Sequence, residues 1–442
     1  MINKKTLLIL ILFSVIFLNL SLILFLQIHP TNFHCDIDSK AYIEKATFLY
    51  EKNSLAPIPT QTQLPYYTLG YPVIMGIIFK IFSPQIECVV LIQILLTLLS
   101  AFLIFVTTRR LFNEAVGTIA FALTCINIGF LTFSQFILTE SFLALFLILF
   151  FERFTGYLYD KNLKSLCGAG IALGISILIK PAALYYPILL LPLIYYTAPS
   201  DKKINFSASF LLLFATPIFA YMLHNKIVFD QFKIGNLDSV NVYFWFYPNV
   251  LAQKYGTSSD TERLKLQFIA GHNNFNIEYI KMMFKQDFLE NPILFVYVWI
   301  KNVIKTFLGL FTTNLKVLVE PNVHGGDISF FKMHGTVFQK ALLYIESGAS
   351  SNWLKSIGFY EAIWSIIRYL LCFFAFLTIF SNKRYTFLYF IGSYIFYFSI
   401  ITGHDGCARF RMMFEFVLII LASMGLWLLF ANKEISKQQN II

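Results

Sequence analysis

Apolar residues run in long unbroken blocks along most of the chain, and polar residues are confined to the gaps between them. The first block, residues 6–27, carries no charge and follows Lys4 and Lys5. It is long enough to cross a hydrocarbon core of ~30 Å as a helix. It is longer than the core of a cleaved signal, and no small-residue cleavage site follows, so an uncleaved first helix with its N-terminus in the cytoplasm is expected. Comparable blocks at about 87–106, 115–133, 139–157, 164–181, 183–198, 205–224, 359–380, 385–402 and 411–431 predict about ten spanning helices in all.

The gaps alternate in charge. Lys4-Lys5, Arg109-Arg110, Arg153 with Lys161 and Lys164, Lys202-Lys203, Lys383-Arg384, and Lys433 with Lys437 fall on one side if every block crosses. Cytoplasmic loops carry such an excess of Lys and Arg. The outer side then holds residues 28–86, a turn near 134–139, the region 225–358 and the loop 403–410. Two apolar stretches in these outer regions are not expected to span. Residues 71–82 are too short, and Pro72 suits the first turn of a surface helix. Residues 293–312 contain Lys301 and Lys305, and a crossing there would put Lys383-Arg384 outside. A helix lying in the outer interface accommodates both an apolar face and lysines. No repeat or linker interrupts the chain. The expected fold is an all-α polytopic membrane protein, a single domain over 1–442, with juxtamembrane helices on its outer face.

Composition agrees. Of 442 residues, 57% are hydrophobic and 13% charged, with a mean hydropathy of +0.68. A soluble domain has roughly 45–50% apolar and about 25% charged residues. The 50 phenylalanines read as lipid-facing bulk. The net charge of +10 sits in clusters beside the apolar blocks, where topology requires it, so no nucleic-acid partner is expected. The cysteines, at 35, 88, 125, 167, 372 and 407, and the seven histidines show no metal spacing. Cys35 and Cys407 share the outer side; two free thiols are favoured there over a disulfide. The uncleaved first helix and the short cytoplasmic loops favour a bacterial inner membrane, with the periplasm outside.

Few residues are left to carry chemistry. Asp36 and Asp38 lie just past the first block, and Tyr42, Lys45 and Ala46 share a helix face with Asp38 if 38–50 is helical. A carboxylate there can take a proton from a hydroxyl nucleophile or hold a cation; equally, Asp38 suits a helix N-cap. Glu140 opens a spanning block, where an ionisable group either faces a cavity or partner or complements the helix dipole. Lys180, before Pro181, lies at an outer end where topology asks for no cation: it either snorkels to headgroups or binds an anion. Arg409 and Arg411 are again on the outer side, and Arg binds phosphate bidentately while keeping its charge; interfacial anchoring is the alternative.

Taken in order, these stretches resemble the GT-C membrane glycosyltransferases of the dolichyl-phosphate-mannose–protein mannosyltransferase and aminoarabinose transferase type. The resemblance is carried by Asp38-Ser39-Lys40-Ala41-Tyr42 with Ala46, by Gly70-Tyr71-Pro72, and by Thr139-Glu140. It continues in GAGIALGISILIKPAAL, which contains Lys180-Pro181, loosely in FDQFKIGNLDSVNVYF, and in Arg409-Phe410-Arg411. The adjacent Asp-Glu of the protein mannosyltransferases is absent, since Ile37 separates Asp36 from Asp38.

The resemblance implies an inverting transferase that moves a sugar from a polyprenyl-phosphate carrier to an acceptor hydroxyl of a lipid, glycan or protein on the outer face. Asp38 would activate the acceptor. Asp36 or Glu140 would support it, orient the sugar or hold a divalent metal. Lys180, Arg409 and Arg411 would stabilise the departing phosphate, and Tyr42 and Tyr71 would contact substrate. A lipid-linked-sugar transporter or flippase is the alternative class, expected to place ionisable residues near the bilayer midplane and to show broken helices in repeated halves. An O-antigen ligase or polymerase, with its main outer loop late in the chain, is the other.

Overall fold

The structure is a computed structural model that describes residues 2–28, 36–55, 67–272, 277–319, 336, 339, 343 and 351–430. The described residues form helices joined by short turns. In chain order these are α1 (Lys4–Gln27), α2 (Asp36–Lys52), α3 (Gly70–Ile81), α4 (Ile86–Leu111), α5 (Glu114–Cys125), α6 (Ile128–Phe133) and α7 (Glu140–Asp160). Next come α8 (Leu163–Ile179), α9 (Pro187–Thr197), α10 (Lys203–Phe229), α11 (Leu237–Val240), α12 (Tyr247–Tyr255), α13 (Ser259–His272) and α14 (Ile277–Glu290). The last are α15 (Pro292–Leu308), α16 (Thr312–Val319), α17 (Asn352–Ser381), α18 (Tyr385–Ile401), α19 (Ala408–Arg411) and α20 (Glu415–Phe430).

Five of these, α1, α4, α7, α10 and α17, are long and apolar enough to cross a bilayer on their own, and α18 is so together with the turn that continues it to His404. The protein is an integral membrane protein. The other four expected spans are occupied by the shorter apolar helices α5, α8, α9 and α20. The block at 115–133 is interrupted at Ile126-Asn127. There the Asn127 side chain accepts from the Phe130 amide at 3.1 Å and starts a new helix, α6. A polar residue able to cap is enough to end one helix and begin another inside an apolar run.

The bundle is built around α7 and α20, which are enclosed along most of their length, whereas α1 exposes most of its leucines and isoleucines outward. α7 packs on α4 and α8, α8 on α10, and α20 on α5 and α17. Many phenylalanines are interhelical core rather than lipid-facing bulk. Phe151 and Phe154 pack on Phe390 with ring centroids 4.7 and 4.6 Å apart, and Phe416 and Tyr394 complete the cluster. Aromatic rings supply area and a preferred geometry where aliphatic chains supply area alone.

The 71–82 stretch forms α3, too short to span as expected. The 293–312 stretch forms α15, bent by 71° from α16 at Gly309–Phe311, so the two together are one broken crossing or a re-entrant hairpin. A second, small apolar cluster is centred on Phe246, Tyr247, Leu266, Ile280 and Phe295, separate from the main core.

Candidate active site

The turn Ser134–Thr139 between α6 and α7 is not a surface loop: every residue in it is buried. It delivers Glu140 as the first residue of α7, facing inward. The Ser39 hydroxyl donates to the Ile137 carbonyl at 2.8 Å and ties the start of α2 to this turn. Asp38, beside Ser39, is thereby brought next to Glu140. Because α2 begins at Asp36, Asp38 lies inside its first turn rather than capping it. The Asp36 side chain lies outside the described residues, as does Cys35.

Lys180 comes from the opposite wall. α8 ends at Ile179, so Lys180 lies outside that helix, in the loop before Pro181. The Thr68 hydroxyl donates to the Ile179 carbonyl at 2.9 Å and closes this helix end. Gly70 allows the approach, since a Cβ there would sit 2.3 Å from the Leu178 carbonyl oxygen. Arg409 arrives from α19.

The four charged side chains meet. Arg409 Nε donates to Glu140 Oε1 at 2.6 Å, and Arg409 Nη1 to Asp38 Oδ2 at 3.4 Å. Lys180 Nζ donates to the same Glu140 oxygen at 3.3 Å and lies 4.7 Å from the centre of the Phe410 ring. Two acids and two bases make a cluster with no net charge, and all four are brought together from positions up to 371 residues apart. Exposure rises from 3% for the Glu140 side chain, through 17% and 18% for Arg409 and Lys180, to 35% for Asp38. Glu140 is therefore the buried anchor and Asp38 the reachable carboxylate. Burial pulls the Lys180 ammonium below its ordinary pKa, with the Glu140 carboxylate acting against that shift. Burial likewise pushes the Cys407 thiol up to about 12.

Tyr42 and Tyr71 are both buried beside this cluster. Their rings meet edge to face at 5.2 Å, and Tyr67 packs on Tyr42 at 5.5 Å. The Tyr71 hydroxyl donates to Gln93 Oε1 at 2.8 Å, while Gln93 donates to the carbonyls of Ser134 and Phe136. Tyr71 is thus linked through Gln93 to the turn that presents Glu140. As for a divalent metal, no three His, Cys, Asp or Glu side chains converge among the described residues. Among the described residues, Asp38 and Glu140 each face a cation already, and these two alone do not make a divalent-ion site.

Arg411 is not in the cluster. Its guanidinium is 1% exposed and lies in a second network inside the bundle, with Glu415, Glu361 and Arg368. Arg411 Nε donates to Glu415 Oε2 at 2.8 Å, Arg368 pairs with Glu415 Oε1, and Asn127 Nδ2 donates to the same oxygen at 2.8 Å. Ionisable groups thus form a second, deeply buried network as well as the Asp38–Glu140 cluster. The signal was there: Glu361 and Arg368 are seven apart within one apolar block, and Arg411 and Glu415 four apart in another, which are same-face spacings on a helix.

Residues 67–225 match the family model described as dolichyl-phosphate-mannose-protein mannosyltransferase. That stretch contains Tyr71, Glu140 and Lys180. The chain resembles the GT-C membrane glycosyltransferases. In fold it is similar to the oligosaccharyltransferase of Archaeoglobus fulgidus in its apo form, at 13% identity and a TM-score of 0.54, covering 97% of this chain and 51% of that one. The same archaeal enzyme, AglB, in complex with an inhibitory peptide and a dolichol-phosphate matches at 12% and 0.54, covering 97% and 50%. ArnT from Cupriavidus metallidurans bound to undecaprenyl phosphate aligns at 12% and 0.43, over 94% of this chain and 77% of that one. The chain spans about half the length of the archaeal enzyme. Comparison with curated proteins gives no match.

Proposed function

We propose that this protein is an integral membrane glycosyltransferase that moves a sugar from a polyprenyl-phosphate carrier to an acceptor hydroxyl. The observation that carries this reading is the cluster itself: a reachable carboxylate, Asp38, set across from two cations that share one buried acid. Such an arrangement suits a reaction whose nucleophile must lose a proton and whose leaving group is an anion. The acceptor oxygen attacks the anomeric carbon as the bond from that carbon to the phosphate oxygen breaks. The acceptor proton passes to Asp38, and the bonding pair leaves with the polyprenyl phosphate, whose new charge Lys180 and Arg409 face. Direct displacement inverts the anomeric centre. Glu140 holds the two cations in place while the carrier is absent. Tyr42 and Tyr71 form the aromatic wall beside the acid.

We assign the site to the outer face, periplasmic in a bacterial inner membrane. The opposite end of the bundle supports this. There Asn3 N donates to Glu114 at 2.9 Å and Arg110 pairs with Glu152 at 2.8 Å, among the basic loops that mark a cytoplasmic side.

The test is mass spectrometry of surface glycans and glycolipids from a deletion strain rescued with wild type or with Asp38→Asn. Loss of the general base is expected to lower transfer by at least about 10²-fold, so one sugar unit should vanish from a defined glycoconjugate in the mutant alone. Identical glycans in both rescued strains would sink the role of Asp38.

A further inference from the structure

The segment that carries Arg409 is strapped along α15. Trp299 Nε1 donates to the Ile400 carbonyl and Asn302 Nδ2 to the Gly403 carbonyl, both at 3.0 Å. Gly406 takes a positive φ of 75° against Asn302, where a Cβ would fall 2.5 Å from the Asn302 carbonyl oxygen. The strap ends on Arg411. Its Nη1 donates to the carbonyls of Phe307 at 2.8 Å and Gly309 at 2.6 Å, at the C-terminal end of α15. On the other side of the 71° break, Glu361 accepts from the amides of Phe311 at 2.7 Å and Thr312 at 2.8 Å, and from the Thr312 hydroxyl at 2.6 Å. Arg411 Nη2 lies 3.6 Å from Glu361 Oε1. The broken junction thus meets a cation at its carbonyl end and an anion at its amide end, the polarity that helix termini favour.

α19 is a single turn, Ala408–Arg411. Residues two apart on a helix point about 200° apart. Arg411 therefore faces the junction while Arg409 faces the Asp38–Glu140 cluster, and any rotation of this turn moves both.

We infer that Arg411, held by Glu361 and Glu415 at the broken-helix junction, is a positioning residue that sets where Arg409 presents its guanidinium to the carrier phosphate. This rests on the transferase reading above, with Arg409 at the phosphate.

The experiment measures equilibrium binding of undecaprenyl monophosphate to the full chain in nanodiscs, with the thermal unfolding midpoint recorded in parallel. The variants are Arg409→Ala, Arg411→Lys, Glu361→Gln and the double variant Arg409→Ala/Arg411→Lys. Misplacing a binding group by a fraction of an ångström to an ångström is expected to weaken binding by roughly tenfold to a hundredfold in Arg411→Lys and Glu361→Gln. The double variant should bind no more weakly than Arg409→Ala, because Arg411 acts only through Arg409. Wild-type affinity in Arg411→Lys beside weakened binding in Arg409→Ala overturns the positioning role and leaves the transferase reading standing. A double variant weaker by the product of the single effects also overturns it, since Arg411 would then act independently of Arg409. Wild-type affinity in Arg409→Ala overturns the phosphate site itself, and the inference with it. If Arg411→Lys fails to accumulate, Glu361→Gln, which keeps the side-chain shape, decides between these outcomes.

Discussion

At the scale of the residue, the site is a problem in charge balance. Glu140 is nearly inaccessible, and it is tolerable there because Arg409 and Lys180 both reach it. Removing one partner of a buried pair is far more damaging than the pair is stabilising, since it strands a desolvated charge. Lys180 is the adjustable member. Its pKa lies below the ordinary 10.5, chiefly through burial. Raising the pH from neutral therefore strips its proton before those of exposed lysines, and affinity for undecaprenyl monophosphate should fall progressively in that window. A binding titration from neutral to alkaline pH checks this, and Lys180→Met should bind more weakly throughout and lose the slope. Arg409 keeps its charge across the whole range.

At the scale of the element, helix ends do the placing. Ser39 holds the turn before α7, Thr68 holds the end of α8, and each stands next to or opposite a charged residue of the site. The contact at Gly70 leaves no room for a side chain, because the atom it faces is backbone and cannot rotate away. Gly70→Ala should destabilise the protein by about 1–3 kcal/mol. Gly392→Ala in α18, where nothing lies within 4 Å, should be neutral or slightly stabilising. Thermal unfolding in detergent separates the two.

Elements also explain what could be read beforehand. Asp38, Glu140, Lys180 and Arg409 stand out in the sequence because each ionisable group sits where an apolar block begins or ends. That they meet is a property of the bundle, since no local spacing links α2, α7, the end of α8 and α19. Arg411 looks equivalent to Arg409 in a linear sequence and is not, because the single turn of α19 sends the two in opposite directions. The break at Asn127 hid in a block that reads as continuous: its cap on the Phe130 amide is local, but its Glu415 partner lies 288 residues on and is visible only in three dimensions. Phe246, Tyr247, Leu266, Ile280 and Phe295 form a separate apolar cluster, and nothing in hydropathy alone distinguishes that from surface helices packed independently.

At the scale of the whole molecule, α7 carries a buried, clasped acid at each of two levels. Glu140 at its start is clasped by Arg409 and Lys180, and Glu152 further along is clasped by Arg110 and Arg153. Those two acids are twelve residues apart, which is about 18 Å of helix. The hydrocarbon core of a bilayer is ~30 Å thick. Both acids nonetheless lie on a helix that its neighbours enclose, so their charges meet partner side chains rather than lipid. The helices that can meet lipid, among them α4 with 26 residues and α10 with 27, are long enough to take up the bilayer thickness themselves. Transfer measured in liposomes of phosphatidylcholines of increasing acyl-chain length should therefore vary little with bilayer thickness. A steep dependence on chain length would mean that the paired acids of α7 feel the lipid in spite of their enclosure.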